Sequence, residues 1–146
     1  MKNYVTNRKL LFAAAMLAAS LLPLMMFADG EKSTAKTETL LRTNAAWDDV
    51  PYTAYPAGAP ELTVLRITIP ANGELPWHTH PMPTAAYVVS GEITVVEPSG
   101  TSRHFSAGDV IPETVNALHR GIVGDTPAVF IVFYPSVKGM PLSERK

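Results

Sequence analysis

Short runs of β-branched and aromatic residues, separated by turns that contain glycine or proline, fill the second half of the chain. The run from Leu62 to Ile69 divides into two alternating faces, as in a β-strand. Similar runs recur at intervals of roughly ten residues. The last, from Ala128 to Tyr134, is apolar on both faces, which is typical of a strand inside a sheet. No segment after the N-terminal region has a helical period, so the pattern predicts an all-β barrel or sandwich.

Two details of the predicted barrel follow from the same runs. Ser90-Gly91 separates Ala85–Ser90 from Glu92–Glu97 by so short a turn that it predicts a β-hairpin. The strand aromatics Phe105, Phe130 and Phe133 are expected in the core, because large apolar side chains are usually buried.

Composition limits the classes of function. The chain has 146 residues, 47% of them hydrophobic, which is enough for one domain with one core. The net charge of −1 gives no electrostatic reason to expect a nucleic-acid partner. Because cysteine is absent, a disulfide framework, a thiol nucleophile and a sulfur-ligated metal are excluded.

The N-terminal 28 residues have the pattern of a secretory signal peptide. Three basic residues within the first nine precede an apolar segment from Leu10 to Phe27, and cleavage is predicted after Ala28. Cleavage near Ala18 offers smaller residues but a shorter apolar segment. An uncleaved anchor is the other alternative, because the segment is nearly long enough to span a bilayer. A cleaved protein would be periplasmic or secreted and free of the membrane, with residues 29–60 as an irregular arm and 61–146 as the barrel.

Three of the four histidines form a pattern that points to a metal site. His78 and His80, two positions apart on an extended segment, present their side chains to the same face. His119, from a neighbouring strand, would complete a set of three neutral nitrogen donors. Such a set suits one divalent transition metal, whether iron, manganese, nickel, copper or zinc. The alternative is that these are surface histidines on a loop edge. His104 is expected at the surface.

The sequences around these histidines, Gly73 to Pro81 and Gly108 to His119, resemble the two motifs of the cupin superfamily. The first motif runs glycine, His-x-His, glutamate, glycine; the second runs Gly-Asp, proline, glycine, histidine, asparagine. The resemblance spans about Leu62 to Tyr134 and is best for small single-domain cupins of the quercetin-dioxygenase-like type. It implies a double-stranded β-helix, or jelly-roll, barrel. It also implies a homodimer, because cupins usually bury barrel edges in this way.

The chain departs from the motifs at several positions. Thr84 stands where the family has its glutamate ligand, and a hydroxyl is a poor substitute for a carboxylate. In the second motif, Thr114 takes the proline position, Asn116 the glycine position and Val123 the asparagine position. Asn116 is tolerable there, because asparagine is the side chain that best accepts the left-handed backbone conformation. The three-histidine part is therefore kept, while the four-ligand site of the family is broken.

Glu113 is a candidate to replace the missing carboxylate. It lies in the otherwise apolar segment that leads to His119, where a charged residue is either solvent-facing or paired. One interpretation is an exposed edge-strand glutamate. The other makes Glu113 a fourth metal ligand, a partner of a ligating histidine, or a catalytic acid/base group.

These observations lead to three hypotheses. The first is an exported, metal-dependent enzyme of oxygenase-like or isomerase-like type, acting on a small organic molecule. The second is a non-catalytic periplasmic cupin that binds a metal or small ligand; loss of the acidic ligand favours it. The third is a storage or scaffold cupin without a site.

Overall fold

The structure, a computed structural model, describes residues 34–146, and these residues contain nine β-strands and no helix. The strands lie in one compact unit, Thr37–Lys146. They are β1 (Pro60–Ile69), β2 (His78–Thr79), β3 (Ala85–Ser90), β4 (Glu92–Val96), β5 (Ser102–Ser106), β6 (Val110–Pro112), β7 (Arg120–Val123), β8 (Ala128–Val137) and β9 (Glu144–Arg145). The predicted signal peptide, residues 1–28, lies outside the described residues. Within residues 34–146, no helix has the length and hydropathy that crossing a membrane requires.

The strands form a double-stranded β-helix, as predicted. One sheet has the order β1-β8-β3-β6, and a second has the order β5-β4-β7. A third, two-stranded sheet pairs β2 with β9. All of these strand pairs are antiparallel. The doubly apolar strand β8 lies between β1 and β3, which confirms its predicted interior position.

The core lies between the four-stranded and three-stranded sheets. Along β8 the even-numbered residues, such as Phe130 and Val132, are buried, and they pair with the inward face of β1. Ile93 and Val95 of β4 belong to the same buried cluster, as does Phe105. Phe133 does not: it points to the outer face and is 44% exposed, so its predicted place in the core is wrong. Strand alternation explains this, because Phe130 and Phe133 are an odd number of residues apart.

The predicted hairpin at Ser90-Gly91 is also wrong. Strands β3 and β4 belong to different sheets, and β3 pairs with β6 and β8 instead. A register shift between Val88 and Ser90 bends the chain out of the first sheet. Gly91 then makes the turn with a φ of 75°, where an added Cβ would lie 2.4 Å from the carbonyl oxygen of Pro127. A turn is therefore present at Gly91, as the sequence predicts, but it connects strands of two different sheets.

The arm packs against the end of β6 and the residue that follows it. Trp47 is 1% exposed, and its backbone N–H donates to the Pro112 carbonyl at 2.8 Å. The Tyr52 hydroxyl donates to the Glu113 carbonyl at 2.8 Å. Two hydrogen bonds from the arm therefore fix the position of the backbone at Pro112 and Glu113.

Candidate metal centre

His78, His80 and His119 converge on one point. Their ligand atoms all lie within 4.8 Å of one another. The backbone brings them together: His78 and His119 exchange two hydrogen bonds of 3.0 Å across an isolated bridge, and His80 forms a bridge with Val115. His80 and His119 are 3% and 2% exposed, and His78 is half-buried. The convergence predicted from the spacing is therefore present, although regular strand geometry ends at Thr79.

The second ring nitrogen of each histidine is held by the chain. His78 Nδ1 lies 2.8 Å from the Pro76 carbonyl, and His80 Nδ1 lies 2.8 Å from the Leu142 carbonyl. His119 Nδ1 lies 3.0 Å from the Ala117 carbonyl. A carbonyl only accepts hydrogen bonds, so each Nδ1 carries the proton and each Nε2 keeps its lone pair. All three rings are thus set in the tautomer that binds a metal through Nε2.

Two residues of the second motif support His119. The Thr114 hydroxyl lies 2.9 Å from His119 Nδ1, and Thr114 is 1% exposed. Asn116 has a φ of 58°, the left-handed conformation predicted for the position where the family has glycine. Thr114 thus contacts the His119 ring directly, and Asn116 adopts the left-handed turn in the loop that carries His119.

Glu113 lies beside His119 and not on an exposed edge. Its Oε2 is 3.3 Å from His119 Nε2, and its side chain is 12% exposed. The Glu113 backbone N–H donates to the Thr84 carbonyl at 2.9 Å, so the two residues are neighbours across the sheet. Thr84 is buried and its hydroxyl faces the Met82 carbonyl at 3.3 Å. The chain thus carries a carboxylate one strand away from the position where the family has one. The solvent-facing interpretation of Glu113 is wrong, while its role as ligand or acid/base group stays a prediction.

Two buried polar atoms at this point lack hydrogen bonds. His119 Nε2 and Glu113 Oε2 are close enough for an ion pair, but neither makes a well-aligned hydrogen bond with any group in the described residues. Leaving such atoms unpaired is costly, and native proteins rarely do so. A cation among the three Nε2 atoms would satisfy both. The donor set and its unpaired atoms therefore fit a divalent transition metal.

The charges of these groups are set by burial and by one another. Burial is the main influence on the pKa of His78 and His80 and lowers both, so these rings are neutral at pH 7. Burial alone would also lower the pKa of His119, but the Glu113 carboxylate outweighs it and raises that pKa. Burial alone would raise the pKa of Glu113, yet the imidazoles reverse this and lower it. In metal-free protein, the Glu113 carboxylate therefore favours the protonated form of His119.

A cavity of about 160 Å³ opens onto the histidines. His78, His80 and Glu113 line it, whereas His119 is not part of its wall. Most of the remaining wall is apolar, with side chains from both large sheets. Tyr134 also lines it; burial raises the pKa of this phenol to about 12, so it stays protonated.

Sequence reasoning missed three polar residues of this wall or its support. Thr114 is noted above only as a departure from a motif. Tyr134 is the last residue of the apolar run from Ala128, and its inward register in β8 places its ring centroid 5.7 Å from that of His80. Arg145 is far along the chain from the motifs and reaches the cavity through the pairing of β9 with β2. The alternation of side chains along the strand could have predicted that Tyr134 faces the cavity. No residue pattern near Arg145 predicts that it reaches the cavity.

Exposed His104 was correctly excluded. It lies on β5 with its side chain 52% exposed, 3.4 Å from Glu92. Its environment is thus a surface version of the buried His119–Glu113 pair.

Comparison with known proteins agrees with this architecture. Residues 65–134 match the family described as Cupin domain. DMSP lyase DddQ from Ruegeria pomeroyi DSS-3 is similar in structure, with a TM-score of 0.52 and 19% identity over 58% of this chain and 43% of that protein. A cupin-like protein from Thermotoga maritima has a TM-score of 0.52 and 21% identity over 58% of this chain and 64% of that protein.

The matched part of this chain spans less than two thirds of each of these proteins, and identities this low show the fold alone. No match is found among the curated proteins. The match of residues 65–134 to the Cupin domain family, the double-stranded β-helix and the histidine cluster together support the cupin superfamily.

Proposed function

We propose that this protein is an exported cupin that holds one divalent transition metal and catalyses an oxygenase-like or isomerase-like reaction on a small organic molecule. The observation that carries the proposal is the convergence of three Nε2 lone pairs beside a cavity that His78 and His80 line. A merely structural metal site is fully enclosed by its ligands, whereas a catalytic one keeps open positions. Three imidazoles leave such positions, and the cavity supplies space beside them.

His78, His80 and His119 would hold the metal, with Glu113 as fourth ligand or as acid/base group. When bound, the metal would polarise a ligand or activate dioxygen. The residues of the chain would do the rest. A bound molecule that filled the apolar wall would displace water, which would strengthen electrostatic interactions within the cavity. The Glu113 carboxylate would accept a proton from a bound molecule. The protonated Tyr134 hydroxyl would donate a hydrogen bond to the same molecule.

A non-catalytic binding function is the second candidate, and one observation favours it. The position that carries the acidic ligand in the cupin motif is the buried Thr84, whose hydroxyl is turned to the local backbone. If Glu113 does not act in its place, the chain retains a site that binds but does not turn over.

Metal analysis and one pair of variants test these proposals. Elemental analysis of protein purified from its native compartment should find about one transition metal per chain. His119→Ala should remove it, while the matched variant His104→Ala should keep it, because His104 lies on an exposed strand. Metal-free native protein, or equal metal content in the two variants, would overturn the proposal. Consumption of a diketone or sugar that is lost in His119→Ala would favour the enzyme over the binding protein.

The proposals of export and of a homodimer rest on other features. Export is supported by the basic and apolar pattern of residues 1–28, and sequencing the N-terminus of the mature protein tests it. A homodimer is supported by apolar side chains on the outer face of the four-stranded sheet. Leu62 and Val64 of β1 are 69% and 48% exposed, and Val64 is paired with the exposed Phe133. A second copy would cover this patch.

A further inference from the structure

The C-terminal segment beyond β8 returns to the metal centre. Strand β9 pairs with β2, so that Arg145 stands directly opposite His78. Side chains of directly opposed residues in an antiparallel pair point to the same face, with Cβ atoms about 5 Å apart. The Leu142 carbonyl of the same segment holds His80 Nδ1 at 2.8 Å. The end of the chain therefore both fixes one histidine and brings a cation next to another.

Arg145 lines the cavity and carries an unneutralised charge. Within residues 34–146, no carboxylate lies within 4.0 Å of its guanidinium group. The other nearby arginine differs: Arg120 is 3.0 Å from the Glu74 carboxylate and stacks on Trp77, with its guanidinium carbon 4.8 Å from the ring centroid. Arg120 is thus used within the fold, whereas Arg145 is available to a bound molecule.

The rest of the cavity sets the size and polarity of that molecule. The inner wall is formed largely by aliphatic and aromatic side chains, among them Ile93, Ile111 and Phe130. An apolar cavity of about 150 Å³ accommodates a molecule the size of benzene, and the volume here is about 160 Å³. This space is too small for a flavonol. A compact apolar body with one anionic group fits both the wall and the arginine.

We propose that the ligand of this site is a small organic carboxylate, bound with its apolar body in the cavity and its carboxylate paired with Arg145. The proposal rests on the proposed function in placing the ligand beside the metal. The planar guanidinium matches a carboxylate with two parallel hydrogen bonds, which an ammonium group does not reproduce. Ser143 lines the cavity from the same segment, and its hydroxyl would be a second donor for the carboxylate.

Calorimetric titration with benzoate and butyrate, each compared with its neutral amide, tests this proposal. The proteins compared are the wild type, Arg145→Gln, Arg145→Lys and Arg66→Gln. Arg66→Gln is the control, because Arg66 lies on the outward-facing side of the exposed strand β1. Each is titrated metal-free and metal-loaded, and its metal content and melting temperature are recorded. At least one carboxylate should bind wild-type protein about tenfold more tightly than its amide, as expected for a hydrogen-bonded charge. Arg145→Gln should remove that preference, Arg145→Lys should reduce it in part, and Arg66→Gln should keep it.

Two outcomes would overturn the proposal: amides that bind as tightly as the carboxylates, or Arg145→Gln protein that is folded and binds the carboxylates unchanged. The same holds if neither carboxylate binds. Failure of the metal proposal gives a different result, namely wild-type protein that holds no metal while its preference for a carboxylate still depends on Arg145.

Discussion

Replacing Glu113 by glutamine is the most direct test of the carboxylate at the metal centre. The substitution keeps the size and shape of the side chain and removes only its charge. At the observed 3.3 Å between Glu113 Oε2 and His119 Nε2, the attraction between two unit charges is roughly 5 kcal/mol at an effective dielectric constant of 20. The desolvation of both groups offsets much of this attraction. A cation held by His119 would face the same carboxylate.

We therefore expect Glu113→Gln to weaken metal binding by about 10- to 100-fold, the effect of losing a partner of a metal-ligating histidine. This loss corresponds to about 1.4 to 2.7 kcal/mol. Competition with a chromophoric chelator measures it at pH 7.5, with zinc and nickel as probes. The melting temperature of the metal-free variant serves as a check that it folds.

The chain supplies a matched control for this experiment. Glu92 lies 3.4 Å from His104 Nε2, almost the same separation, but both side chains are about half exposed. Surface pairs of this kind contribute little, so Glu92→Gln should leave metal affinity unchanged. If Glu113→Gln protein is folded and binds metal within twofold of the wild type, the buried carboxylate does not act on the metal, and the reasoning is wrong.

Three further predictions concern pH, backbone strain and assembly. A metal binds only the neutral imidazole ring, and the pKa of His119 is raised above its ordinary value of about 6.5. Metal affinity should therefore fall as the pH drops through this raised pKa. An affinity that stays constant between pH 6 and 8 would contradict this prediction. The stability of the metal-free protein should depend on pH in the opposite direction. The protonated His119 ring stabilises the fold below about pH 6.5, and this contribution is lost as the pH rises through the folded-state pKa of His119. Gly91→Ala should lower the free energy of unfolding by more than about 2 kcal/mol in urea denaturation, because the strain of a left-handed backbone adds to a clash with neighbouring backbone. Gly100 has a φ of 92° and open space around it, so Gly100→Ala should show the strain alone. Val64→Lys should turn a dimer into a monomer by light scattering, and a wild-type monomer would refute the proposed assembly.

Alternation along strands and histidine spacing determined much of this protein from its sequence. The all-β class follows from strand runs bounded by turns, since backbone propensity and burial act locally. Convergence of His78, His80 and His119 was predicted because two positions on an extended chain share a face and the motifs place the third. The left-handed conformation of Asn116 agrees with the motif resemblance, which places Asn116 where the family has glycine.

Partner choice between strands was decided only by the tertiary structure. The sequence near Ser90-Gly91 does not predict that β3 pairs with β6 and β8, because strand pairing depends on residues that are distant in the sequence. The same holds for Glu113, whose burial beside His119 depends on contacts from the arm, and for Arg145, which reaches the cavity only when β9 pairs with β2. A charged residue in an apolar segment has two physically reasonable places, and long-range packing selects between them.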